Sequence, residues 1–440
     1  MKPNIIFYFS DQQRWDTVND TVTPNLMKLA EEGILFENSF TCQPVCGPAR
    51  ACLQTGVYAT QNKCYFNGIA LPREIKPLAE YFNEAGYETA YIGKWHLASD
   101  RYKNIGFHCE TSAVPVDRRA GYKDYWMASD VLEFTSHGYD GYVFDINNNK
   151  VDFEGYRADC INDFALDYLD KKTSDKPFFM FVSQIEPHHQ NDHHCYEGPK
   201  ETVPKFKDYP LPDDLTFLNG DYEKMYPDYI AAINSLDENV GRLVSKLKEK
   251  GLYDNTVIIY TSDHGSHFKT RNAEYKRSCH DSATHTPLII TGGIFNQGRV
   301  DERLVSLIDL PPTLLDIAGI EIPKSFVGKS IVQELNNNEE RDCVFMQISE
   351  SQCGRAIRTK KYKYSVRAAT PTGVIIHSSP VYFEDYLYDL ENDPIEKNNL
   401  VKNPQYKSVR KELKEMLIRE MTNAGEKKPI ILPAYIIRKK

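Results

Sequence analysis

Residues 228–265 read DYIAAINSLDENVGRLVSKLKEKGLYDNTVIIYTSDHG, and this stretch decides the fold. Ile230, Ile233, Leu236, Val240, Leu243, Val244 and Leu247 recur at spacings of three and four, the period of a helix with one apolar face. Gly251 closes that helix, expected over Asp228–Lys250. Thr256–Ser262 follows as an unbroken apolar and β-branched run, the kind buried on both faces of a parallel sheet. The run ends in Asp263-His264-Gly265, so the strand delivers polar side chains at its carboxyl end. The same grammar appears upstream. Asn4–Ser10 is a strand ending in Asp11, and Thr23 and Pro24 then open a helix that Gly33 closes. Helix Pro77–Ala85 precedes strand Tyr87–Gly93, and helix Tyr156–Asp170 precedes strand Pro177–Gln184. Pro287–Thr291 reads as a further strand and Ser306–Ala318 as a helix, despite Pro311-Pro312 near its middle.

Strand–helix alternation of this kind predicts an α/β fold, with a mostly parallel central sheet sandwiched by helices and ligands gathered at the carboxyl ends of its strands. After about residue 336 the pattern changes. Cys343–Ile348, Ala356–Val366 and Tyr382–Leu390 read as antiparallel strands and Pro404–Ala424 as a terminal helix. The expected division is therefore a catalytic domain over 1–335 and a smaller C-terminal α+β subdomain over 336–440.

The bulk numbers narrow the function classes. The chain has 440 residues, 41% of them apolar, and a formal net charge of -9 with both signs interleaved. No basic stripe argues for nucleic acid. No apolar run approaches the roughly 20 residues needed to span a bilayer, so no membrane partner is expected. The N-terminal MKPNIIFYFSDQQ lacks the form of a signal peptide, and ten cysteines without a regular framework fit reduced thiols, so a cytoplasmic location is expected. The oligomeric state is not legible.

The richest segment is Cys46-Gly47-Pro48-Ala49-Arg50, followed by Ala51-Cys52-Leu53-Gln54-Thr55-Gly56. Pro48 suits the first turn of a helix, so Cys46 should sit just ahead of one, facing free backbone N–H groups and the positive end of the helix dipole. Arg50 adds a permanent charge beside it. Asp11 with Gln12 and Asp263 with His264 each end a strand and so can meet at one sheet edge. Three oxygen donors and an imidazole make a plausible site for a divalent cation. Taken alone, Asp-His-Gly after a strand reads first as a turn. His188, His189, His193 and His194, clustered with Asp192 and Cys195, admit a zinc site as a minor alternative.

These residues resemble the sulfatase family, which belongs to the alkaline-phosphatase-like superfamily. Its hallmark is Cys-x-Pro-Ser/Ala-Arg followed by Thr-Gly, matched here from Cys46 to Gly56. The resemblance implies that Cys46 is oxidised to formylglycine by a maturase and that the aldehyde hydrate is the nucleophile. It implies one divalent metal on Asp11, Gln12, Asp263 and His264, with Ca²⁺ the family default and Mn²⁺ or Mg²⁺ the alternatives. Gln12 stands where the family commonly has Asp, which lowers the charge of the ligand set. Gly93-Lys94-Trp95-His96 matches the block in which the lysine contacts sulfate and the histidine serves the hydrate. Pro187-His188 matches the family's general acid for the leaving alcohol. Lys276, five residues before Asp281, would make a second sulfate contact; Asp281 replaces the usual Glu, and His285 stands where Arg is common.

Arg355–Thr359, Lys361–Tyr364, Leu387–Leu390, Asp393-Pro394 and Asn399-Leu400 extend the likeness over nearly the whole chain. The stretch Asn104–Asp152 is the weakest match. It reads as a variable insertion shaping specificity, in which Trp126 and Tyr125 either stack on a sugar or, equally well, pack locally. His189, Asp192 and His193 are the other expected substrate contacts, unless they simply face solvent. The expected activity is hydrolysis of a sulfate ester, on a small molecule or an oligosaccharide. A phosphonate monoester or phosphodiester hydrolase with the same formylglycine is the first alternative, and an inactive sulfated-glycan binder the second.

Overall fold

The structure, a computed structural model, describes residues 2–100, 107–369 and 373–434. The large sheet is built from β1 Asn4–Ser10, β2 Ile34–Phe40, β3 Glu88–Lys94, β4 Tyr125–Ser129, β5 Asp140–Asp145, β6 Lys150–Glu154, β7 Phe178–Ser183, β8 Thr256–Ser262, β9 Leu288–Thr291 and β10 Arg299–Ser306. Their spatial order is β10-β2-β9-β8-β1-β7-β3-β4-β5-β6. The centre, β8-β1-β7-β3-β4, is parallel. Antiparallel β9 lies between β8 and β2, and the hairpin β5–β6 finishes one edge.

The centre is buried on both faces, as its continuous apolar strands require. Ile5, Phe7 and Phe9 of β1 pack into one core with Leu53, Phe82 and Leu314, while Ile6 and Tyr8 pack into the other with Leu29, Ile161 and Leu243. The long helix runs Tyr222–Glu249, beginning before Pro227, because Tyr222, Met225 and Tyr226 bury against Phe268 and hold an extra turn in place. Leu310–Ile317 carries Pro311 and Pro312 in its first turn, where a missing N–H costs nothing, behind a 3₁₀ turn capped by Ser306 and Asp309.

β2 and β10 are absent from the sequence reading. Ile34–Phe40 turns polar at Glu37, Asn38 and Ser39, and Arg299–Ser306 carries four charged residues, as an edge strand and its neighbour can afford. The smaller sheet, β11 Val344–Ile348, β12 Gly354–Arg358, β13 Tyr362–Ala368, β14 Val381–Asp389 and β15 Ile430–Leu432, packs under the helix Lys407–Asn423. The single run expected over Ala356–Val366 is two strands with a turn at Thr359–Lys361.

In the expected insertion, Asn104 and the two residues after it lie outside the described residues. Trp126 does not reach solvent. It is 1% exposed on β4 and stacks on Tyr91 beneath Trp95, so it belongs to the core and cannot meet a sugar. Tyr125 points to the other face and donates to the Phe164 carbonyl. A tryptophan in a short Tyr- and Asp-rich segment reads as exposed; strand alternation puts it inside.

Gly93 shows how closely the central strands approach. It adopts φ 97°, and a Cβ there would sit 2.0 Å from the Ser183 carbonyl oxygen on β7. We expect Gly93→Ala to cost more than about 1 kcal/mol, through both the left-handed backbone and the clash. Urea unfolding measures it, and an unchanged midpoint would contradict the packing described.

Candidate active site

Four central strands end on the same side of the sheet, and each hands one or two polar side chains to a single buried cluster. β1 supplies Asp11, β3 supplies Lys94, β8 supplies Asp263 and His264, and the turn after β7 leads to His188. The helix Cys46–Thr55 lies over their ends and contributes Cys46 and Arg50. Lys276 reaches in from the segment after β8.

Cys46 Sγ is the point of convergence. It accepts a hydrogen bond from Lys276 Nζ at 2.8 Å and lies 3.1 Å from His264 Nε2 and 3.3 Å from Asp11 Oδ1. Asp11 Oδ2 accepts from Lys94 Nζ at 2.7 Å and from an Arg50 nitrogen at 2.9 Å. The other Arg50 amino group donates to the Lys94 carbonyl and to Ser183 Oγ, fixing the guanidinium against both strand ends. Lys276 Nζ is also 3.2 Å from His188 Nε2. Because an ammonium only donates, this nitrogen of His188 is the unprotonated one, and Nδ1 faces Glu133 at 3.9 Å without a hydrogen bond. His264 Nδ1 lies 2.9 Å from the Gly265 carbonyl, which leaves its Nε2 lone pair turned toward the cluster.

The electrostatics follow from burial of many charges together. Burial pushes the Asp11 carboxyl up, but the permanent cations Lys94, Arg50 and Lys276 outweigh it and hold it well below the ordinary range. Asp263 is pushed up to about 7 by burial and then by Asp11 beside it. Burial and Asp11 likewise push the Cys46 thiol up to about 12, so it stays protonated and weakly nucleophilic at neutral pH. Burial and then Lys276 hold His188 well below the ordinary imidazole value, as a neutral imidazole. His96, at φ 60°, is lowered in the same way by burial and then Lys94, and it lines the cavity mouth.

Two of the N–H groups expected to be free at the helix start are taken: that of Gly47 donates to Asn67 Oδ1 and that of Ala49 to the Val45 carbonyl, while Arg50, Lys94 and Lys276 bring side-chain cations to the cluster around Cys46. Asn67 escaped the sequence reading because nothing in its local context marks it as a cap on a helix twenty residues away.

Asp11, Cys46, Asp263 and His264 place ligand atoms within 4.8 Å of one another. Asp263 Oδ2 is buried without a hydrogen bond. The Gln12 side-chain nitrogen donates to Tyr196 and Ser266, which commits that end of the amide and leaves its oxygen as the donor atom. Two crowded carboxylates, an amide oxygen and an imidazole lone pair fit a divalent cation, whose charge would relieve the repulsion between Asp11 and Asp263.

A cavity of about 180 Å³ opens above this cluster, lined among others by Gln12, Cys46, Lys94, His96, His188 and Lys276. His189 and Asn191 also line it, with His189 stacked on Tyr275. Asp192 and His193 do not: both are exposed, Asp192 paired with His137 and His193 with Glu197. The histidine run therefore splits between cavity and surface, where ligand atoms of Asp192 and His193 lie with that of His137 within 4.8 Å of one another. Asp281 stays out of the cavity, buried between Lys363 and Arg358 under the smaller sheet, and His285 stacks between Trp15 and Phe40. Asn191 and Arg277, each on a loop, and Glu133, in the short helix Leu132–Thr135, line the cavity without having been expected, since no local motif marks them.

Among the described residues, no helix is long and apolar enough to cross a membrane. Two family models match the chain: sulfatase over residues 3–320, and the C-terminal region of N-sulphoglucosamine sulphohydrolase over 273–423. The chain is 30% identical to an ulvan-active sulfatase of Formosa agariphila, over 97% of this chain and 82% of that one. It is 26% identical to an N-acetylglucosamine-6-O-sulfatase of Bacteroides thetaiotaomicron, over 94% and 86%. A phosphonate monoester hydrolase of Agrobacterium radiobacter shares the fold, at a TM-score of 0.69 and 21% identity over 96% of each chain. With a family model spanning the whole large sheet, and a cysteine, cations and paired carboxylates meeting at its strand ends, the chain belongs to the sulfatases, the hydrolases of sulfuric esters.

Proposed function

We propose that this protein hydrolyses a carbohydrate sulfate ester with a formylglycine made from Cys46 and one divalent metal ion. The observation that carries the reading is Cys46 Sγ in contact with Lys276, His264 and Asp11 inside one buried cluster. The carbohydrate assignment draws on the relatives, one named for ulvan and one for N-acetylglucosamine 6-sulfate. The formylglycine supplies, as its hydrate, one hydroxyl to attack sulfur and a second whose proton loss lets sulfate leave. The metal, on Asp11, Gln12, Asp263 and His264, supplies Lewis-acid stabilisation of charge on the sulfate oxygens; Ca²⁺ is the first candidate, with Mn²⁺ and Mg²⁺ behind it.

The chain's own residues do the rest. Lys94 and Lys276 bind the sulfate oxygens, and Arg50 steadies the side chain at position 46 from below. An unmodified thiol, held protonated by its surroundings, offers neither a ready nucleophile nor a second hydroxyl to expel the product. His188 protonates the departing alcohol. An anionic ester entering beside Lys276 offsets the charge that, after burial, most depresses this imidazole, and so raises its proton affinity when an acid is needed. His96 takes the proton from the remaining hydroxyl of the hydrate.

In protein from a host with a competent maturase, we expect the peptide containing Cys46 to be lighter than its sequence mass by about 18 Da. Cys46→Ala should abolish turnover across a panel of sulfated sugars and aryl sulfate. An unmodified peptide with glycan binding intact would favour the inactive binder, and faster turnover of an aryl phosphodiester by orders of magnitude would make the protein a diesterase.

His188→Asn should lower kcat by roughly 10²–10⁴ on sugar sulfates, whose alcohols are poor leaving groups, and much less on 4-nitrophenyl sulfate. Equal losses on both would remove His188 as the acid. For the metal, thermal unfolding with added Ca²⁺, Mn²⁺ or Mg²⁺ should show stabilisation of about 2.7 kcal/mol at a hundred times Kd. Asp263→Asn should lose that response without loss of metal-free stability, since it removes a repelling carboxylate. A full response in the variant would place the ion elsewhere.

A further inference from the structure

The catalytic cavity has a neighbour. A second hollow, of about 540 Å³, lies between the 271–280 segment and the β13–β14 face of the smaller sheet, and Arg277 lines both. Arg277 is a bulky residue at φ 70°, and Glu350, which binds its guanidinium, is at φ 63°. Left-handed non-glycine residues are costly and survive where the surroundings hold them in place. Here Glu274 and Glu350 grip the Arg277 side chain while the Ser351 hydroxyl holds its carbonyl.

The wall of the second hollow is cationic. Arg367 is 45% exposed, with its Nε paired to Asp385 at 3.2 Å. Arg271 spends its two amino groups on the backbone carbonyls of Ile395 and Glu396, at 3.0 Å each, and pairs with no carboxylate among the described residues. The Glu396 carboxylate nonetheless lies within its electrostatic reach. Asp385 is the acidic member of the lining, and burial pushes it up to about 6. Phe383 and Tyr386, half-buried on β14, add aromatic surface. Behind them Ser278 Oγ and His280 Nδ1 are buried without hydrogen-bond partners, a polar capacity that the fold itself does not use. The volume falls in the range of pockets that enclose small organic ligands, of about 300–1,000 Å³. Arginines beside aromatic rings suit a sugar ring bearing a carboxylate or sulfate.

We infer that this hollow is a subsite for an anionic sugar unit next to the one whose sulfate is cleaved, so that the substrate is an acidic oligosaccharide chain and not an isolated monosaccharide. The inference rests on the proposed carbohydrate sulfatase activity, and the two can fail separately. The test uses matured enzyme with 4-nitrophenyl sulfate and two tetrasaccharides that share a sulfated terminal unit. In one the adjoining unit is a uronate, and in the other its carboxyl is reduced to the alcohol. Wild type should favour the uronate form. Arg367→Gln and Arg271→Gln should each raise its KM about tenfold, equivalent to roughly 1.4 kcal/mol. Both should leave aryl sulfate and the reduced tetrasaccharide within about twofold, and Arg271→Lys should recover part of the loss. No preference in the wild type, or equal losses on all three substrates, would overturn the subsite. Should the wild type turn over none of them, the activity reading fails. Calorimetric titration of the uronate tetrasaccharide then still decides the subsite: tighter binding to wild type than to Arg367→Gln supports it, and equal binding overturns it.

Discussion

One buried carboxylate organises this molecule. Asp11 ends the central strand β1 with no solvent exposure and is held there by Arg50 and Lys94. An unpaired charge at such depth would cost several kcal/mol, so the carboxylate and the two cations require one another. Through Arg50 the same contact reaches the Lys94 carbonyl and Ser183, which ties the ends of β3 and β7 to the helix that begins at Cys46. The position of Cys46 over the sheet edge is thus fixed by charge pairing as much as by apolar packing.

The cluster is more cationic than its own carboxylates require. Arg50, Lys94 and Lys276 face Asp11 and an Asp263 whose carboxyl is pushed up by burial and by Asp11. Such an excess in a closed site favours an anionic ligand, and with burial, the larger cause, it opposes ionisation of the imidazoles, so His188, His264 and His96 are all held neutral. Backbone strain gathers at the same place: Gln12, His96 and Arg277 take left-handed conformations at the rim, where a turn must aim a particular side chain inward. A net charge of -9 for the chain says nothing of this local field.

Much of the site was legible because the chemistry sits in short contiguous motifs at strand ends. Cys46 and Arg50 share one helical turn, Lys94 and His96 follow one strand, and Asp263 and His264 follow another. The elements themselves were readable wherever burial is two-sided, since such strands must be apolar throughout. Reading failed where exposure breaks the pattern, as at β2 and β10, and where residue type was taken for position. Trp126 suggested a sugar platform, yet alternation along β4 turns it into the core. Asp192 and His193 follow His189 closely, yet the turn carries them to the surface.

By itself the sequence determined the alternating elements, the strand ends at which polar residues emerge and the reactive pentapeptide around Cys46, because each depends on neighbours within a few positions along the chain. Tertiary structure alone decided which distant groups touch. It brought Lys276 onto Cys46 across 230 positions, placed Asn67 on the Gly47 N–H, lowered His188 by burying it beside an ammonium and turned both amino groups of Arg271 to backbone carbonyls. Proton affinities and cavity shape are properties of a three-dimensional arrangement of charge and excluded volume. No local pattern encodes them, since they depend on residues that meet only when the sheet and its loops are complete.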